Sequence, residues 1–122
     1  MRHIESKIQQ GCVEWFRLAY PRLRLNLFSV PNGGARRRIE GAIMKAEGTV
    51  AGVADLILLY PSRGYHALCI EMKSPSGYQR DTQKQWQKAV EDYGYKYIIV
   101  RSFDEFREQV NNYIFGTTDK KV

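Results

Sequence analysis

The chain has 122 residues, 43% of them hydrophobic and 26% charged. That is the length and balance of one folded domain, and it excludes wholesale disorder. Nineteen Lys and Arg against thirteen Asp and Glu give a net charge of +6, which favours an anionic partner, nucleic acid being the commonest.

The first predicted element is a helix over 3–19. Ile4, Ile8, Trp15 and Ala19 recur at helical spacing, Cys12 and Phe16 widen the stripe, and Pro21 ends it. "LNLFSV" at 25–30 reads as a short strand, "PNGG" at 31–34 as a loop, and 35–48 as a short helix closed by Gly48. Two apolar runs follow, "VADLILLY" at 53–60 and "HALCIEMK" at 66–73, joined by "PSRGY". So short a turn makes them an antiparallel hairpin, and apolar residues on both faces imply a sheet covered on both sides. A helix over 79–93 carries Trp86, Val90 and Tyr93 on one stripe; a strand at 95–100, a helix at 103–115 and a polar tail complete the chain. The aromatic residues read mostly as core, with Tyr78 the exception in a loop. The order implies a small α/β layer structure around a mixed four-stranded sheet, with one domain over 1–116 and a tail at 117–122.

Cys12 and Cys69 lie in apolar contexts without CxxC or zinc-ligand spacing, and read as buried thiols. The polar start "MRHIESKIQQ" is unlike a signal peptide, and no apolar run reaches the length of a membrane span. A cytoplasmic protein with no membrane partner is expected.

Three charged residues interrupt the hairpin. Glu71 and Lys73 are two apart, so in a strand they share a face. If 56–60 pairs with 66–70, Asp55 meets Glu71 at the same end. Neighbouring carboxylates repel, and one pKa rises, unless a cation sits between them. Hard oxygen ligands suit Mg²⁺ or Mn²⁺. A lysine beside such a pair can position an attacking water or stabilise developing charge, which is the set phosphodiester hydrolysis requires. The same spacing also fits a plain ion pair between Glu71 and Lys73, with Asp55 capping a turn.

"GVADLILLY" followed by "CIEMK" resembles the D-x(n)-E-x-K signature of PD-(D/E)XK nucleases. With "PNGG" and its following arginine, "KAEGTVAGVAD" and "QKQWQKAVEDYGY", residues 3–115 resemble a stand-alone VRR-NUC domain of the virus or phage type. The resemblance implies a restriction-endonuclease-like core and a site of Asp55, Glu71 and Lys73. The metal would be held by the two carboxylates and the backbone carbonyl of Met72. It also implies a role for Gln83 at the start of the following helix, where Gln83 otherwise fits as a residue bonding nearby backbone. A glutamate on the first helix is implied too. With the apolar stripe centred near Ile8 and Trp15, Glu5 falls roughly 60° from the centre and Glu14 roughly 120° away, so Glu5 is the candidate, as a catalytic residue and metal ligand. Ala54 stands where the family commonly has proline, and Arg80 where it often has serine three residues before the glutamine.

Arg36, Arg37 and Arg38, with Lys45, fit phosphate binding, and the backbone of Asn32, Gly33 and Gly34 fits close approach to DNA. As a plain alternative, these are solvated surface charges; Lys84, Lys88 and Lys96 read as surface residues. The family implies branched DNA as substrate, above all four-way (Holliday) junctions. Cutting two opposed strands calls for two sites and hence a homodimer, in a bacterial cell or phage-infected host. A non-catalytic nucleic-acid-binding module of the same fold, and a nuclease acting on flap or linear DNA, are the competing readings.

Overall fold

The computed structural model describes residues 2–31 and 38–116, without the side chains of Arg2, His3, Arg38 and Ile39. Asn32, Gly33, Gly34, Arg36 and Arg37, the Arg38 side chain and the 117–122 tail therefore lie outside the described residues.

The described residues form four α-helices and four strands. Helix α1 (Arg2–Ala19) leads through a 3₁₀ turn (Pro21–Leu23) to β1 (Leu27–Ser29). Then come α2 (Arg38–Ala46), β2 (Leu56–Leu58), β3 (Leu68–Met72), α3 (Asp81–Glu91), β4 (Lys96–Val100) and α4 (Phe103–Phe115). The strands lie in the order β1-β2-β3-β4, the first two pairings antiparallel and β3–β4 parallel. The sheet is mixed, as expected. A parallel pair cannot be joined by a tight turn, and α3 supplies the crossover.

The strands are shorter than their apolar runs, because pairing gives way to turns before apolarity does. β2 keeps only three residues, although its register extends: Val30 N–H donates to the Asp55 carbonyl at 2.9 Å, and Leu59 N–H to that of Asn26 at 2.8 Å. At the hairpin tip Arg63 and Gly64 both take positive φ, 55° and 86°. Two central residues in that region match the right-handed twist of the flanking strands. They set the register Leu56↔Ile70, Ile57↔Cys69 and Leu58↔Leu68. Helix α2 closes as expected on Gly48, at φ +111°.

Alternation along the strands divides the core. Leu56, Leu58, Leu68, Ile70, Met72 and Val100 face α1 and α4, packing with Cys12, Phe16, Phe106, Val110 and Tyr113. Trp15 meets Tyr20, Phe103 and Phe106 edge-on at 5.9, 6.2 and 6.0 Å. On the other face Ala54, Cys69 and Tyr97 form a smaller cluster with Ile57, Ile99 and, from α3, Trp86 and Val90. Both cysteines are buried and free, and burial pushes their thiols up to about 12 and about 11.

Two stripes differ from expectation. On α1, Ile4 and Ala19 near the ends are exposed, and the buried line runs through Cys12 and Phe16 instead. Tyr93 is exposed because α3 ends at Glu91, so the residue no longer follows the helical stripe. Phe115 is exposed as well, so Tyr78 is not the single aromatic exception.

Candidate active site

The register that stacks Leu56 on Ile70 places Asp55 next to Glu71, at the end of the hairpin and on the face covered by α3. Asp55 precedes β2 and is half-buried; its Oδ2 accepts the Met72 N–H at 2.7 Å, across the strand pair. Glu71 is 2% exposed. Its Oε2 accepts from Gln83 Nε2 at 2.8 Å, and Lys73 Nζ lies 3.7 Å from the same oxygen. Its Oε1 is buried and receives no hydrogen bond among the described residues.

These partners do not neutralise the pair. Burial raises the Asp55 pKa, opposed by the Met72 N–H, while the charge of Glu5 raises it further and that of Lys73 lowers it. Burial raises Glu71 more, to about 8, with the Asp55 charge as second cause and Lys73 and Arg80 opposing. The effect of each carboxyl on the other also favours ionised Asp55 and protonated Glu71. Without a cation, the proton therefore resides on Glu71. The lysine contact is too long for a hydrogen bond and leaves the ammonium oriented but not fully engaged.

Gln83 bonds nearby backbone and also reaches Glu71. It is 5% exposed, at the third position of α3. Its Oε1 accepts the Arg80 N–H at 2.8 Å while its Nε2 holds Glu71. Arg80 in place of serine leaves half a capping box, since an arginine side chain has no oxygen to receive the Gln83 N–H; that group goes to the Arg80 carbonyl at 3.0 Å.

Glu5 lies seven residues before Cys12 and eleven before Phe16, within about 20° of whole turns. It thus sits on the true buried line of α1. It is half-buried, and its Oε2 accepts the Ser74 N–H at 3.3 Å. Glu14 is exposed. Both line a cleft of about 1230 Å³ that also contains Asp55, Glu71, Met72, Lys73, Arg80 and Gln83. Lys45 is exposed on the last turn of α2 and does not line that cleft.

The residues that could hold a cation are Asp55 and Glu71. A buried carboxylate oxygen without a donor, beside a second carboxylate, is a donor set suited to a hard divalent ion displacing the proton. Among the described residues no three His, Cys, Asp or Glu side chains stand close enough to share one ion. Glu5 therefore borders this pair without completing a three-carboxylate cluster.

Three contributors carry no chemical signature in the sequence. Gly52, at φ +88°, lies so close to the start of α3 that a methyl group on it would meet the Thr82 carbonyl oxygen at 2.2 Å. Arg80, at the cleft wall, is read from sequence only as a departure from a cap. Ser74, 2% exposed, ties the end of β3 to Glu5.

No curated protein matches the chain. Among solved structures, one described as a VRR_NUC domain protein matches with a TM-score of 0.79 and 24% identity, over 90% of this chain and 87% of its own. At that identity the likeness is one of fold. No helix among the described residues is long and apolar enough to cross a membrane. The model of the VRR-NUC domain family matches residues 2–104, most of the chain, which therefore belongs to that family of nuclease-type domains.

Proposed function

We propose that the protein is a Mg²⁺- or Mn²⁺-dependent endonuclease that cuts branched DNA, specifically four-way junctions, and acts as a homodimer in the cytoplasm. One observation carries the reading: a carboxylate pair, half-buried Asp55 and buried Glu71, with an oxygen that no donor among the described residues reaches, beside a lysine and opening on a cleft. A plain Glu71–Lys73 ion pair, with Asp55 serving only the Met72 N–H, would have no use for the unmet Glu71 oxygen or the open wall.

Asp55 and Glu71, with the Met72 carbonyl, would hold the cation. When bound it would polarise the phosphate and lower the pKa of a coordinated water. Lys73 would orient an attacking water or a phosphate oxygen and would offset the charge that develops on the phosphoryl oxygens. Gln83 keeps one Glu71 oxygen hydrogen-bonded, so that the other is presented to the ion. Glu5, at the edge of the pair, holds a further water in place. Arg36, Arg37, Arg38 and Lys45, the Asn32–Gly34 backbone and the net charge of +6 serve the phosphate backbone. Two opposed cuts in one junction require two such sites, hence the dimer.

The test is cleavage of linear, flap and four-way-junction DNA in Mg²⁺, in Mn²⁺ and in chelator. Paired nicks in opposed strands of the junction, dependent on metal, are expected. Intact DNA in every lane, with folded protein, contradicts the enzyme reading; cutting confined to flaps or linear duplex overturns the junction specificity alone.

A further inference from the structure

We propose that Arg101 is a positioning residue that fixes Lys73 and Glu5, an inference that rests on the nuclease reading and deepens it. Arg101 follows β4 and does not line the cleft, so it acts through other residues. Its Nη1 donates to the Ser74 carbonyl at 2.9 Å and also to the Gly77 carbonyl. These are the two ends of the turn that leaves β3, closed by the Gly77 N–H to the Ser74 carbonyl at 3.1 Å. One guanidinium nitrogen with two hydrogens serves both acceptors at once.

The turn lies against both functional side chains. At Gly77 an added methyl group would press on Ser74 Oγ at 3.1 Å and meet Lys73 Cδ in ordinary contact at 3.7 Å, so the turn runs alongside the lysine stem. On its other side the Ser74 N–H holds Glu5 Oε2. The Ser74 hydroxyl is buried and makes no hydrogen bond among the described residues. Among the described residues the turn is thus held through its backbone groups, by Glu5 at the Ser74 N–H and by Arg101 at both carbonyls. Arg101 is itself held at the start of α4, its N–H donating to Glu105 Oε1 at 2.6 Å. Loss of the guanidinium frees the turn, and with it the stem that keeps the Lys73 ammonium beside Glu71.

The experiment compares wild type, Arg101→Met and Arg101→Lys. Expected for Arg101→Met are a kcat on junction DNA lower by about 100-fold, the loss a misplacement of ~1 Å can cause, an unchanged KM and a melting temperature near wild type. Arg101→Lys, which can still donate to both carbonyls, recovers most of kcat. A kcat unaffected in Arg101→Met overturns the inference. So does a joint loss of kcat, KM and melting temperature that lysine does not repair, which marks a merely structural role. If wild type cuts no DNA, the nuclease reading fails, and the Lys73 side-chain methylene NMR signals still decide the positioning role. They are dispersed in wild type and averaged in Arg101→Met if it holds, and alike in both if it does not.

Discussion

On the face of the sheet covered by α1 and α4, six strand side chains interlock with phenylalanines, a tyrosine and Val110, all within 1% of complete burial. On the α3 face the buried apolar cluster is Ala54, Cys69 and Tyr97, and at its end lie Asp55 just before β2, Glu71 in β3 and Lys73 just after it. Both faces come from the same strands, with alternate residues pointing each way. A thick apolar layer on one side leaves the other free to carry groups that do not stabilise the fold. A pair of neighbouring carboxyls, one of them buried, is such a group.

The contrast predicts separable effects. Phe106→Ala, in the thick layer, should lower unfolding free energy by about 3–5 kcal/mol, read as a lower urea midpoint at unchanged slope. Gly52→Ala should cost about 1–3 kcal/mol from its positive φ alone. It should also disturb activity, because the added methyl displaces the start of α3 and with it Gln83.

The pH dependence sharpens the comparison further. In chelator, Glu71 binds its proton more tightly folded than unfolded, with a pKa raised from 4.5 to about 8. Stability from this group is therefore fully present below about pH 4.5 and is lost as pH rises through 8. Melting temperature should fall across that window. Glu71→Gln, neutral at all pH values, should flatten that fall. A profile as steep in the variant as in wild type would mean that the proton sits elsewhere.

Much of this contrast was legible in the sequence. The tight "PSRGY" turn sets the hairpin register, and the register brings Asp55 to Glu71; the α4 boundaries follow from the pattern alone. Legibility fails where tertiary packing decides. Ile4 and Ala19 are as apolar as Cys12, but they lie near the helix ends and are exposed, so the buried line departs from the apolar stripe and Glu5 is nearer to it than its predicted angle. Arg101 carries no signal in the sequence because its partners are backbone carbonyls 27 and 24 residues away, and a carbonyl has no letter in a sequence. Gly52 was legible as part of a motif but not as a contact with Thr82.

The measurement that bears most directly on the central claim is a side-by-side assay of wild type and Lys73→Ala on a four-way junction in Mn²⁺, following strand nicking and gel-shift affinity on the same samples. Lys73 is 7% exposed, and its ammonium contacts Glu71 at 3.7 Å without a hydrogen bond. The account predicts nicking lowered by roughly 100- to 1000-fold, as for loss of a charge-stabilising donor, with junction affinity and melting temperature close to wild type. Nicking at the wild-type rate, or a variant that fails to fold, would contradict it: the first would remove Lys73 from the chemistry, and the second would return Glu71 and Lys73 to an ion pair that holds the end of a strand.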